Sequence, residues 1–223
     1  MTSLATRVRL KTIQAFDRLR LRERKRRNPG LEMAPDASTN FSSSHFALAP
    51  SSAIAPGGRL VIGPRVYTER LSRGVHISVA EGASVEIGAD TWLRSDLAPV
   101  IIFAFPGARI TIGKEGFLNG CHLSAKSTLT IGDRVWIGPG SRVFDADQHD
   151  LAADRVEQIE PVTIDDHCWI ASDVTILRGV HIGEQSVIGA RSLVSRSIPP
   201  HTLAVGSPAA ATGKISDRSR VEI

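Results

Sequence analysis

Residues 164–198 read IDDHCWIASDVTILRGVHIGEQSVIGARSLVSRSI, and the fold is decided there. Ile164, Ile170, Ile176, Ile182, Ile188 and Val194 recur every sixth residue, and the fourth residue after each is Cys168, Val174, Val180, Ser186, Ser192 or Ile198, all small or β-branched. With aliphatics near a quarter of residues, six such hits in a row arise by chance on the order of once in a few thousand trials. A step of six matches neither the 3.6 residues of a helix nor the alternation of a hairpin. It fits a short strand and a corner, repeated, and three such sides close a triangular coil. The aliphatic of each side points inward, a glycine or other small residue is expected at the corner with positive φ, and backbone hydrogen bonds run from coil to coil. A β-sandwich would instead need alternation and turns at longer spacing.

Working outward, the step recurs at Ile131, Ile137 and Val143, and Ile-Gly pairs at Ile62, Ile87 and Ile112 lie 25 apart, so the register slips in the earlier coils. Between Val143 and Ile164 the period breaks. An inserted loop, 144–161, leaves the coil there with the polar sequence FDADQHDLAADRVEQIEP. Loops held on rigid scaffolds are where chemistry concentrates.

Ahead of the repeats, residues 1–27 form a basic amphipathic helix by their pattern, with Leu4, Val8, Ile13, Phe16 and Leu19 near helical spacing. Ten cations and two acids fall in this stretch, although the whole chain of 223 residues carries only +4. Such a helix could lie on an anionic membrane or pack within an oligomer. Residues 28–58, rich in Ser, Ala and Pro, read as a linker or extended wrap, with an idle His45. The catalytic domain is assigned to 59–208 and a C-terminal tail to 209–223. The content of 42% hydrophobic and 5% aromatic residues, with 19 Gly and 12 Pro, suits an aliphatic core with many turns. Cys121 and Cys168 lack CxxC spacing and read as buried reduced thiols, a reactive thiol being the lesser reading. No apolar run is long enough for a membrane helix and no secretory leader is present, which makes the cytoplasm the default compartment.

The segment IGDRVWIGPGSRVFDADQHD, followed by PVTIDDHCWIASDVTILRGVHIGEQSVIGARSLVSRSIPPHTLAVGSPA, closely resembles the hexapeptide-repeat acyltransferases, above all the sugar O-acetyltransferases acting on maltose, galactosides and polysaccharides. The resemblance spans residues 60–210. It implies an all-β fold, a left-handed parallel β-helix of hexapeptide repeats with an N-terminal helical extension. It also implies a homotrimer with acetyl-CoA in clefts between subunits. His149, in Asp-x-Asp-x-His, occupies the position of the family's catalytic histidine and is expected to act as general base on an acceptor hydroxyl. Asp147, or alternatively Asp145, would orient its ring, unless either caps a turn; the other loop acids are expected to face solvent. Asn119 matches the acceptor-binding asparagine, against the alternative of a corner Asn-Gly. His122 is expected to be structural.

For the cofactor, Trp169, Ala171 and Ser172 match the segment along which the pantetheine arm passes, though Trp169 is equally placed to pack at a subunit contact. Gly189 and Ala190 match the next rung, and Ser195 and Arg196 the family's Thr-Lys that meets the CoA phosphates. The chain departs from the pattern at Pro208, Ala209 and Ala210, where the family carries a cation and Lys214 is the first to follow. It departs again at Asp165, which replaces a corner glycine and is expected to adopt αL.

The resemblance therefore implies acetyl transfer from acetyl-CoA to a hydroxyl of a saccharide or glycolipid, as in polysaccharide biosynthesis, directly and without a metal. The basic head could hold the enzyme near the inner membrane surface, and no nucleic-acid partner is expected. The alternatives are N-acetylation of an amino sugar or acetylation of a xenobiotic, and a non-catalytic β-helix scaffold. A zinc hydratase on the same scaffold would need three histidines from neighbouring coils, and His45, His76, His122, His149, His167, His181 and His201 offer no paired His-x4-His set.

Overall fold

The computed structural model describes residues 23, 25, 26, 29–34, 53–68 and 74–221. All of the basic amphipathic segment but residues 23, 25 and 26, most of 28–58 and His45 lie outside the described residues. What remains is a left-handed parallel β-helix of three walls. The first wall stacks Leu31–Met33, Arg59–Ile62, Ser84–Ile87, Arg109–Ile112, Thr128–Ile131, Val162–Ile164 and His181–Ile182. The second stacks Tyr67–Thr68, Trp92–Arg94, Phe117–Asn119, Trp136–Ile137, Trp169–Ile170, Val187–Ile188 and Thr202–Gly206, ending in Ala209–Lys214, which runs antiparallel. The third stacks Ala53–Ile54, Val75–Val79, Val100–Ala104, His122–Ala125, Arg142–Phe144, Thr175–Ile176 and Leu193–Val194. Two strands thus join the stack before residue 59, inside the stretch read as a linker or extended wrap.

Rungs are in register: Ile62, Ile87, Ile112, Ile131, Ile164 and Ile182 form one inward ladder, spaced 25, 25, 19, 33 and 18 residues apart. From each of these to the inward residue of the second wall (Thr68, Leu93, Leu118, Ile137, Ile170, Ile188) the step is always six. The slippage is confined to the other two edges. Nearly all these side chains are fully buried, each aliphatic one contributing about 1.5–3 kcal/mol of burial. Cys121 and Cys168 belong to this core as free thiols, and burial pushes both up to about 12.

Corner chemistry differs from the expectation. In the Ile-Gly pairs the glycine does not carry the positive φ; the residue two further on does, at Arg65, Asp90, Glu115, Arg134 and Gln185. The glycine is needed for proximity: a Cβ at Gly88 would stand 2.5 Å from the Gly113 carbonyl carbon of the next coil. At the rung without glycine the same rule holds, so αL falls on His167 (φ 60°) and not on Asp165, whose carboxylate meets His181 Nε2 at 2.8 Å. Asp133 and Asp166 satisfy this edge by accepting the backbone N–H of Lys114 and Asp133 at 2.9 and 2.8 Å.

Outward on the second wall stands an aromatic column, Tyr67, Trp92, Phe117, Trp136 and Trp169. Its upper end is covered by the chain beyond the antiparallel strand. There the Ile215 N–H donates to the His201 carbonyl, the Arg218 N–H to Gln185 Oε1 and Arg218 Nε to the His167 carbonyl. The Arg218 guanidinium thereby lies 5.2 Å from the Trp136 ring and 5.6 Å from Trp169.

Candidate active site

The sequence-predicted residues fall on two edges of the third wall. Along the edge between second and third walls, Asn119-Gly120, Gly138 to Gly140, Ala171-Ser172 and Gly189-Ala190 stack as one column of small residues. Gly140 N–H donates to Gly120 C=O (2.9 Å), Asp173 N–H to Pro139 C=O (2.9 Å) and Arg191 N–H to Ser172 C=O (3.0 Å). Trp169 enters this edge with 42% of its surface exposed. At the foot of the column Asn119 is 6% exposed, and its Oδ1 is buried with no hydrogen-bond partner among the described residues. An unpaired buried amide oxygen costs about 1–3 kcal/mol.

The opposite edge, between third and first walls, carries His149, Asp147, Ser195 and Arg196. The inserted loop leaves after Phe144 and returns at Val162. Its base is a short antiparallel ladder: Glu160 N–H donates to Asp145 C=O (2.8 Å), Asp147 N–H to Gln158 C=O (3.1 Å), and Ala146 bridges Ile159. His149 follows this ladder and is exposed, and its ring has no hydrogen-bond partner among the described residues.

Neither proposed orienting carboxylate touches that ring. Asp145 is fully buried, accepting the backbone N–H groups of Lys126 and Ser127 at 2.7 Å each. Asp147 accepts from Arg178 Nε at 2.7 Å and from the Gln158 N–H at 3.2 Å. The Arg178 hydrogen bond holds the Asp147 carboxyl below its ordinary range. Of the acids expected in solvent, Glu157 is instead part-buried and paired with Lys126 at 2.7 Å, while Glu160, exposed as expected, pairs with Arg178. Lys126, Arg178 and Arg218 were missed by sequence reasoning, because their partners lie 18 to 51 residues away and no motif links them.

His122 sits half-buried, edge-on to Phe144 at 5.4 Å; burial, and then the Arg142 charge, lower its pKa and favour the neutral ring. Ser195, Arg196 and Ala190 are exposed. Among the described residues no three His, Cys, Asp or Glu side chains gather as around a metal ion, and no helix is long and apolar enough to cross a membrane.

The three-walled prism of hexapeptide rungs resembles the hexapeptide-repeat transferases. The family model described as bacterial transferase hexapeptide (six repeats) matches residues 161–196. The chain is similar to the hexapeptide-repeat acyltransferases, and among them to the sugar O-acetyltransferases. The galactoside O-acetyltransferase of Escherichia coli is 35% identical over 138 residues, 60% of this chain and 66% of that protein. A Schizosaccharomyces pombe protein provisionally named an acetyltransferase is 39% identical over 126 residues, 55% of this chain and 60% of that one. The chain thus covers less than two thirds of the length of these relatives. Among solved structures, an N-acyltransferase from Bacillus cereus, in complex with dTDP and 3-hydroxybutyryl-CoA, shares the fold. Its TM-score is 0.55 at 19% identity, over 72% of this chain and 85% of that one.

Proposed function

We propose that the protein is an acetyl-CoA-dependent O-acetyltransferase whose acceptor is a hydroxyl of a saccharide or glycolipid. The observation that carries the reading is the buried, unpartnered Asn119 Oδ1 at the foot of the small-residue column. It stands across one wall from a loop that holds out an unpaired imidazole. The similarity to a galactoside O-acetyltransferase supports the same chemistry.

His149 takes the proton of the acceptor hydroxyl as its oxygen attacks the thioester carbonyl. The C–S bond then breaks, the acetyl group stays on the acceptor oxygen, and the imidazolium returns its proton to the leaving CoA thiolate. No acyl-enzyme is formed. Asn119 holds the acceptor, its Oδ1 accepting from a sugar hydroxyl. The small-residue column lets the pantetheine arm approach backbone along Ala171, Ser172, Gly189 and Ala190 beside Trp169, and Ser195 with Arg196 suits the phosphates.

Asn119 and His149 flank one wall, whose strand of four residues, His122–Ala125, separates the two edges by ~13 Å. Copies packed around a threefold axis bring one edge of a protomer against the other edge of its neighbour, which favours a homotrimer with the site between subunits. The loop's exposed Leu151, Val156 and Ile159 suit contact with such a neighbour. The basic segment 1–27 is a proposed peripheral membrane contact.

The test is acetyl-CoA-dependent thiol release by the purified protein over monosaccharides, nucleotide sugars and amino sugars. Turnover is expected with hydroxyl acceptors, and His149→Ala should lower kcat about 10²–10⁴-fold. Asp147, its pKa lowered by Arg178, gives stability that is present above the unfolded carboxylate pKa and lost as pH falls through its lower folded value. Acceptance of amines alone, or an unimpaired His149→Ala, overturns the reading.

A further inference from the structure

His149 is held from behind. Gln148, the residue before it, sits at φ 74° although it is not glycine, a conformation of a kind that costs of order 1–3 kcal/mol unless its surroundings enforce it. What meets that peptide is Lys126, at the end of the third wall one coil below. Its Nζ donates to the Gln148 carbonyl at 3.1 Å and to both Glu157 oxygens at 2.7 and 2.8 Å, while lying 5.0 Å from the Phe105 ring.

Both side chains of the Lys126–Glu157 pair are only 18% exposed, against 28% and 19% for Arg178–Asp147 and more for the other pairs among the described residues. One ammonium therefore ties together the two sides of the loop, at the residue before His149 and at Glu157 on the returning side. The Lys126 backbone N–H is itself fixed by the buried Asp145 carboxylate. Arg178 repeats the arrangement from the coil above, bridging Asp147 on the outgoing side and Glu160 on the returning one. Anchoring thus reaches Gln148 and resumes at Asp150, whose Oδ1 accepts the Glu157 N–H at 2.8 Å, leaving the imidazole between them without a hydrogen-bond partner among the described residues.

We infer that Lys126 is a positioning residue for the His149 base, acting through the Gln148 carbonyl and the Glu157 carboxylate. This rests on the proposed role of His149. Lys126 neither touches substrate nor moves a proton; it sets the direction in which the imidazole leaves the loop. A base displaced by about an ångström loses about 100-fold in rate, while ground-state binding along the small-residue column is untouched.

The experiment is a double-mutant cycle on the full chain: wild type, Lys126→Met, His149→Ala and the double variant, with Lys126→Arg as the conservative replacement. Lys126→Met should lower kcat about 10- to 100-fold with KM for acetyl-CoA within about threefold. Lys126→Arg should recover most of that loss. In the His149→Ala background Lys126→Met should have no further effect, since it acts only through the absent ring. Hydrogen exchange should rise at residues 146–150 alone.

A Lys126→Met protein with wild-type kcat, or an undiminished effect in the His149→Ala background, overturns the assignment even where His149→Ala is inactive. An active His149→Ala overturns the base itself, which is a separable result. If Lys126→Met does not fold, Glu157→Gln carries the test from the loop side. The same split of kcat from KM is expected of it, and an unchanged kcat counts against the inference.

Discussion

Asn119 shows how far a single residue can be read. Its type and its neighbour Gly120 allowed either a sugar-binding amide or an ordinary corner, and the sequence offered no way to choose. Burial with an orphaned oxygen supports the proposed sugar-binding role, because a corner asparagine kept for its backbone has no reason to bury an unsatisfied acceptor. Asn119→Ala should therefore move stability and activity in opposite directions. The unfolding midpoint should hold or rise, the orphan's penalty of about 1–3 kcal/mol being relieved, while kcat/KM for the acceptor falls about 10²–10³-fold as for loss of a polar group at a reaction centre. Urea titration and steady-state rates check this, and a large loss of stability with activity retained would assign the amide to the scaffold. The motif singles out His149 as a candidate base, whereas a lysine in SAKSTL has no feature that marks it until folding brings it under the loop.

At the scale of a rung, the period of six was legible because burial enforces it on one edge without exception. All six steps from the first wall to the second are equal, while the steps across the other two edges vary and one of them carries the loop. The role given to the Ile-Gly glycines was misread, because sequence shows that a small residue is needed but not whether torsion or proximity demands it. The two reasons predict different mutants. At Gly88, where φ is ordinary and the next backbone is 2.5 Å from a virtual Cβ, alanine should destabilise by about 1–3 kcal/mol through forced separation of coils. At Asp90, where φ is 60°, glycine should be tolerated or mildly stabilising. Denaturant midpoints of the two variants decide it; a tolerated Gly88→Ala would return the corner to a torsional account.

For the molecule as a whole, the repeat made the β-helix legible but left its hand and its number of copies to family resemblance, since a step of six is the same in a coil of either hand. Nor did composition show that the tail returns along three rungs, Ile215 to His201 and Arg218 to Gln185 and His167, because those contacts join a charged, irregular stretch to corners far behind it. One consequence concerns growth. A stack of parallel rungs is an open template: the outermost strand offers unpaired amides and carbonyls to any chain able to add another layer. Here Ala209–Lys214 lies antiparallel on Thr202–Gly206 and occupies that template on the second wall. A variant ending at Pro208 should accordingly form end-to-end polymers, seen as a concentration-dependent rise in mass by light scattering, and an unchanged mass would refute this. The reversed strand acts as a terminator, so that the prism's length is written into the polypeptide and is not left to mass action.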